Sequence, residues 1–147
     1  MSIHADIISS LPYEKPFLFV DDILELSETG AKGVYTIRPD EYFFEGHFPG
    51  NPIVPGVILT EIMAQIGLVC LGIFLNDPAN RKHLRPAFTS ANVDFLAAAL
   101  PGDQLIIESK KVYYRFGKLK CEVVCRKEDG TIVSKGELAG MIVKSNH

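Results

Sequence analysis

The segment from Gly56 to Leu75 constrains this chain more than any other. Across its twenty residues only Thr60, Glu61 and Gln65 are strongly polar. A helix apolar on nearly every side has to be buried. Its length would also let it cross a bilayer. Against that, Glu61 and Gln65 lie inside it, no second span follows, and strand-like segments surround it. The expected place is the centre of a globular fold, with no membrane span. Asn76-Asp77-Pro78 ends the run.

The flanking segments supply a cover. Ala5 to Ser10 reads as a short amphipathic helix ended by Pro12. Phe17 to Leu26 and Lys32 to Arg38 read as strands around a turn at Ser27-Glu28-Thr29-Gly30. Residues 39–55 form a loop rich in proline and glycine, and a loop this long inside a compact domain is usually functional. After a polar connection, Ala79 to Arg85, further strands are expected at Ala87 to Ala97, Gln104 to Tyr114, Lys118 to Arg126 and Thr131 to Val143. In the third of these, Leu119, Cys121, Val123 and Cys125 alternate with polar positions, Val124 being the exception, as in a sheet with one wet face. The expectation is one α+β domain over residues 1–147, with about five or six mostly antiparallel strands curling around one long helix.

Charge narrows the partners. The net charge of -3 argues against a nucleic-acid binder. Residues 104–147 carry nine Lys/Arg against five Asp/Glu, while residues 1–103 carry six against thirteen. A basic half can face an acidic partner, or simply be a solvated face. Arg81, Lys82, Arg85, Lys118, Lys120 and Arg126 are the candidate contacts. The three cysteines form no CxxC or Cys/His cluster, so buried reduced thiols, a cytoplasmic setting and no metal are expected. No cofactor is indicated. The N-terminus lacks a signal-peptide pattern.

Chemistry concentrates between Phe43 and Gln65. His47 sits in the Pro/Gly-rich loop among Phe44, Gly46, Phe48, Pro49 and Gly50. An imidazole can act as a general base, or be a loop histidine bonded to backbone. Glu61 lies fourteen residues on, in the second turn of the apolar helix. An unpaired buried carboxyl has a raised pKa and becomes a proton donor. The alternative is a rim glutamate stabilised by the positive helix end. Gln65, at i+4, can orient it. At the helix start, the N–H groups of Gly56 and Val57 have no intrahelical partner and could stabilise charge on a carbonyl oxygen. A base, an acid and an oxyanion donor suit proton removal beside a thioester carbonyl with loss of a β-hydroxyl.

The run H-F-P-G-x-P-x-x-P-G-V at 47–57, with Glu61 and the A-Q pair at 64–65, resembles the 3-hydroxyacyl-(acyl-carrier-protein) dehydratases of type II fatty-acid synthesis. Leu11-Pro12, Pro16-Phe17-Leu18 and Val20-Asp21 resemble that family's opening motif, and Phe95 with Pro101-Gly102-Asp103-Gln104-Leu105 a later one. Glu61, where the sibling dehydratase/isomerase branch carries Asp, points to the dehydratase-only branch. The resemblance implies a hot-dog fold and a homodimer, with a trimer of dimers as the larger form. It implies that His47 of one subunit takes the C2 proton while Glu61 of the other protonates the departing C3 hydroxyl. Gly56 would polarise the thioester carbonyl, with Val57, Phe48 and Gln65 around the substrate, and a cis peptide is associated with His47–Phe48. The substrate would ride on acyl carrier protein.

Some positions depart from the family pattern. Tyr13-Glu14-Lys15 stands where His-Arg-Tyr is frequent, Leu96 where a basic residue is common, and Ala87-Phe88-Thr89 lacks a tyrosine. These leave acyl-chain length and pathway open, housekeeping lipid or polyene synthesis included. Two other functions stay open: a hot-dog thioesterase or enoyl-CoA hydratase, and a non-catalytic acyl-binding partner subunit.

Overall fold

The computed structural model describes residues 3–47 and 50–144. The apolar segment is helical over Gly56–Phe74, and 78% of its apolar window is buried inside the protein. Its pitch changes along the way. An α-helix, α2 (Gly56–Ala64), gives way to a π-helical turn (Gln65–Val69) in which the Cys70 N–H reaches back to the Gln65 carbonyl, and α3 (Cys70–Phe74) follows.

Six strands wrap this helix: β1 (Asp22–Ser27), β2 (Gly30–Thr36), β3 (Leu84–Phe95), β4 (Gln104–Arg115), β5 (Lys118–Lys127) and β6 (Ile132–Lys144). They form one antiparallel sheet in the order β1-β2-β4-β5-β6-β3. The middle of the helix packs against β2, β4, β5 and β6. Two helical glycines permit that approach. A Cβ on Gly67 would stand 2.9 Å from Val123 Cγ1, and one on Gly72 would stand 2.8 Å from Ile142 Cγ1. The alternation expected in β5 is observed: Leu119, Cys121, Val123 and Cys125 are fully buried on the helix side. A long helix held in the curl of an antiparallel sheet is the hot-dog arrangement that the resemblance implies.

Several boundaries differ from the sequence reading, β2 among them, which runs Gly30–Thr36 rather than Lys32 to Arg38. Phe17 to Leu26 is not one strand, because pairing begins only at Asp22, opposite Val34. The backbone before it is claimed by a side chain instead. Gln65 accepts from the Phe19 N–H at 2.8 Å and donates to the Phe17 carbonyl at 2.9 Å. Strand β3 starts at Leu84 rather than Ala87 and carries Pro86. Proline lacks a ladder donor, and β3 tolerates it because it lies at the sheet edge. The polar connection is largely a 3-10 helix, Pro78–His83, capped by Asp77.

Arg81, read from sequence as a surface cation for an acidic partner, is buried. Its guanidinium donates to the carbonyls of Ile73 at 3.1 Å and Phe74 at 3.0 Å, and pairs with Asp6 at 3.2 Å. The last carbonyls of a helix have no intrahelical donors. Arg81 supplies them and ties the C-terminus of the central helix to the short helix α1 (Ile3–Ser9).

Candidate active site

His47 follows a 3-10 turn, Tyr42–Glu45, whose Phe43 and Phe44 rings meet edge to face at 4.8 Å. Buried Phe44 anchors that turn in the core. The loop is then pinched shut by reciprocal bonds. The Ile53 N–H donates to the His47 carbonyl at 3.1 Å, and His47 Nδ1 lies 3.0 Å from the Ile53 carbonyl oxygen. A carbonyl only accepts, so Nδ1 carries the proton and a neutral ring has its lone pair on Nε2. The backbone-bonded histidine and the general base are thus compatible readings of one residue, using different ring atoms. Phe48, expected beside the substrate, and the cis peptide at His47–Phe48 lie outside the described residues.

Glu61 is half-buried on α2 and borders a cavity of about 180 Å³. Ala64, Leu68 and Val69 of the helix, Pro86 to Phe88 of β3 and Gly140 of β6 form most of its wall, and Tyr13 and Phe17 complete it. Burial holds the Glu61 carboxyl above the usual carboxylate range, and the hydrogen bond from Gln65 partly offsets this. A rim glutamate governed by the helix dipole would shift the other way. Glu61 is also beyond the first turn, where the dipole acts. The proton-donor reading therefore fits the environment better.

Gln65 is wholly buried and uses every polar atom. Besides its two bonds to the backbone of Phe17 and Phe19, its Nε2 donates to Glu61 Oε2 at 2.9 Å. The i+4 relation expected from sequence is realised. What sequence did not reveal is that the same amide also pins the N-terminal loop.

At the start of α2, the N–H groups of Ile58 and Leu59 both return to the Pro55 carbonyl at 3.0 Å, so those of Gly56 and Val57 precede the helical pattern. At Gly56 the structure fills the place of the absent Cβ with the ring of Phe95, whose Cζ would stand 3.2 Å away. A Cβ at position 56 would crowd that ring, which would have to shift by a few tenths of an ångström to admit it. Val57 is 77% exposed.

Within one chain His47 is not part of the wall around the Glu61 cavity. Close by, Gly56, Val57, Thr60, Phe88, Ala91, Val93 and Phe95 line an open apolar groove of about 630 Å³ along the unpaired edge of β3.

The raised Glu61 pKa has a measurable consequence. A carboxyl whose folded pKa exceeds its unfolded value contributes stability that is complete below the unfolded pKa and is lost as pH rises through the folded one. Glu61→Gln keeps an acceptor for Gln65 and cannot ionise. Its melting temperature is expected to exceed that of the unsubstituted protein above the raised pKa, with the gain shrinking as the buffer is made acidic. A difference that does not vary with pH in thermal melts would contradict the assignment.

A family model described as a FabA-like domain matches residues 11–137. The 3-hydroxyacyl-(acyl-carrier-protein) dehydratase FabZ of Caldicellulosiruptor saccharolyticus is 38% identical over 136 residues, covering 90% of this chain and 92% of that protein. The protein of the same name from Acetivibrio thermocellus is 34% identical over 148 residues, covering 99% and 98%. Among solved structures, the dehydratase heterocomplex ApeI:P of Xenorhabdus doucetiae aligns with a TM-score of 0.73 at 17% identity, over 94% of this chain and 91% of that one. A hypothetical thioesterase of Streptococcus pneumoniae TIGR4, solved with coenzyme A, aligns with a TM-score of 0.61 at 14% identity, over 97% and 95%. At those identities the two structures share the fold.

Proposed function

Because the chain belongs to the FabA-like family of 3-hydroxyacyl-(acyl-carrier-protein) dehydratases, we propose that it removes water from a 3-hydroxyacyl thioester on acyl carrier protein, giving the trans-2-enoyl thioester in fatty-acid or polyene synthesis. The observation that carries this reading is Glu61: one carboxyl, its pKa raised by burial, in a cavity whose other described wall residues are apolar except for Tyr13.

His47 takes the C2 proton on Nε2. The C2–H electron pair becomes the new C2=C3 bond. The C3–O bond breaks as Glu61 passes its proton to the departing hydroxyl, which leaves as water. Negative charge grows on the thioester oxygen during C2 deprotonation, and the N–H groups of Gly56 and Val57 would receive it. Gln65 holds the Glu61 carboxyl in orientation. Phe48 would wall the substrate.

The two reacting groups meet across a homodimer. A second copy pairing on the free edge of β3 would cover the groove and its exposed Val57, Phe88 and Phe95. A trimer of dimers is the larger assembly consistent with the family. The acidic carrier would meet the basic side of the protein, with Lys82, Arg85, Lys118, Lys120 and Arg126 as candidates and Arg81 removed from that set. Three buried, unpaired thiols suit a cytoplasmic setting.

The test is product analysis of the purified protein on 3-hydroxyacyl carrier protein of several chain lengths. A trans-2-enoyl product is expected. Free acid without enoyl product would make the protein a thioesterase, and turnover of only the coenzyme A ester would make it a hydratase. No turnover of any of these would leave an acyl-binding partner subunit.

A further inference from the structure

Among the described residues ten wall the cavity beside Glu61, and two of their side chains carry polar atoms: Glu61 and Tyr13. Tyr13 comes from the loop after α1, forty-eight residues before Glu61. Its ring packs against Phe17, with centroids 6.4 Å apart, and against the core. We propose that Tyr13 is a positioning residue for Glu61, its hydroxyl donating to the carboxylate that remains once the acid has given up its proton. This rests on the reading of Glu61 as the acid.

The chemistry leaves a need for such a donor. When Glu61 protonates the departing C3 hydroxyl, a carboxylate is created in an apolar cavity. An ion there is costly unless hydrogen bonds satisfy its oxygens. Gln65 serves Oε2 at 2.9 Å. Among the described residues the lining offers one further side-chain donor, the Tyr13 phenol. That phenol stays protonated: burial first, then the charges that Glu61 and Cys70 carry once ionised, push it well above the usual phenol range. The Cys70 thiol is pushed up to about 12 by burial and is neutral. Among the described residues no lysine, arginine or other carboxyl lines the cavity. In the proposed dimer the partner subunit's His47 faces this site as the base. The proton gained by His47 and the one lost by Glu61 balance, and exchange with water after product release resets both.

The experiment uses the full chain with Tyr13→Phe, which removes the hydroxyl and keeps the ring packing, and measures rate against pH on 3-hydroxyacyl carrier protein. The alkaline limb, where Glu61 loses its proton before reaction, is expected to move up by about one pH unit. The maximal kcat should fall roughly tenfold, while KM stays within about twofold. A change in KM alone would make Tyr13 a mere wall of the acyl site and overturn the proposal, as would an unshifted limb. Titration of the Glu61 carboxyl by ¹³C NMR in the substrate-free variant gives an independent reading. Its midpoint should rise with the limb, and an unmoved midpoint refutes the proposal. Glu61→Gln separates the two failures. If it retains activity, the acid assignment falls and this inference with it. If it is inactive while Tyr13→Phe has an unshifted limb, only the role of Tyr13 falls.

Discussion

Subunits carrying His47→Ala and subunits carrying Glu61→Gln should each lose dehydration by about 10²- to 10⁴-fold, the usual worth of one general acid or base. Co-expressed, they should recover about a quarter of the unsubstituted rate. The recovery follows from counting sites. Random pairing makes about half of the dimers mixed, and each mixed dimer has one site with both groups intact and one with neither. The geometry behind this expectation is specific. His47 is held by a reciprocal pair of bonds to Ile53, outside the wall of the cavity that Glu61 borders. Edge strand β3 and the groove beside the start of the central helix offer a second copy its seat. Failure to recover activity on mixing, with subunit exchange verified by tagged pull-down, would place both groups in one chain.

Gln65→Leu is expected to be the most damaging single change to stability near the site. The substitution nearly conserves volume but deletes three hydrogen bonds. It strands the buried Phe19 N–H, and the Phe17 carbonyl with it. Leaving such groups unpaired costs about 2–4 kcal/mol together, a fall of roughly 5–10 °C in melting temperature for a chain of this size. Activity should drop in the same variant, because Glu61 loses the donor that orients it and lowers its pKa. A melt indistinguishable from that of the unsubstituted protein would mean that water or a shifted backbone replaces the amide.

How far the chain can be read without its fold depends on the range of the interaction. The long helix was legible because twenty nearly unbroken apolar residues leave a folded chain few options, and its observed span stops within one residue of the expected end. The wet and dry faces of β5 were legible because side chains on a strand alternate strictly. The bond between Gln65 and Glu61 was legible because i+4 neighbours share a helix face.

Other features were hidden. Phe17 to Leu26 has a strand's composition, yet its first residues are bonded by an amide from the central helix. Arg81 looked like a docking cation because cations near a loop normally are solvated. Here the carbonyls of Ile73 and Phe74 at the end of the central helix draw it inward, and nothing local to residue 81 announces them.

The stretch around His47 and Glu61 therefore divides cleanly. Residue type and spacing within Phe43 to Gln65 were sufficient to nominate a base, an acid and the amide that orients the acid, since those relations span one loop and two turns of helix. Packing was needed for everything that reaches the site from a distance: the Tyr13 phenol in the cavity of Glu61, the Phe95 ring over Gly56, and the separation of His47 from that cavity within one chain. Such contacts join residues tens of positions apart. Strand order and register create them, and no short-range periodicity encodes either.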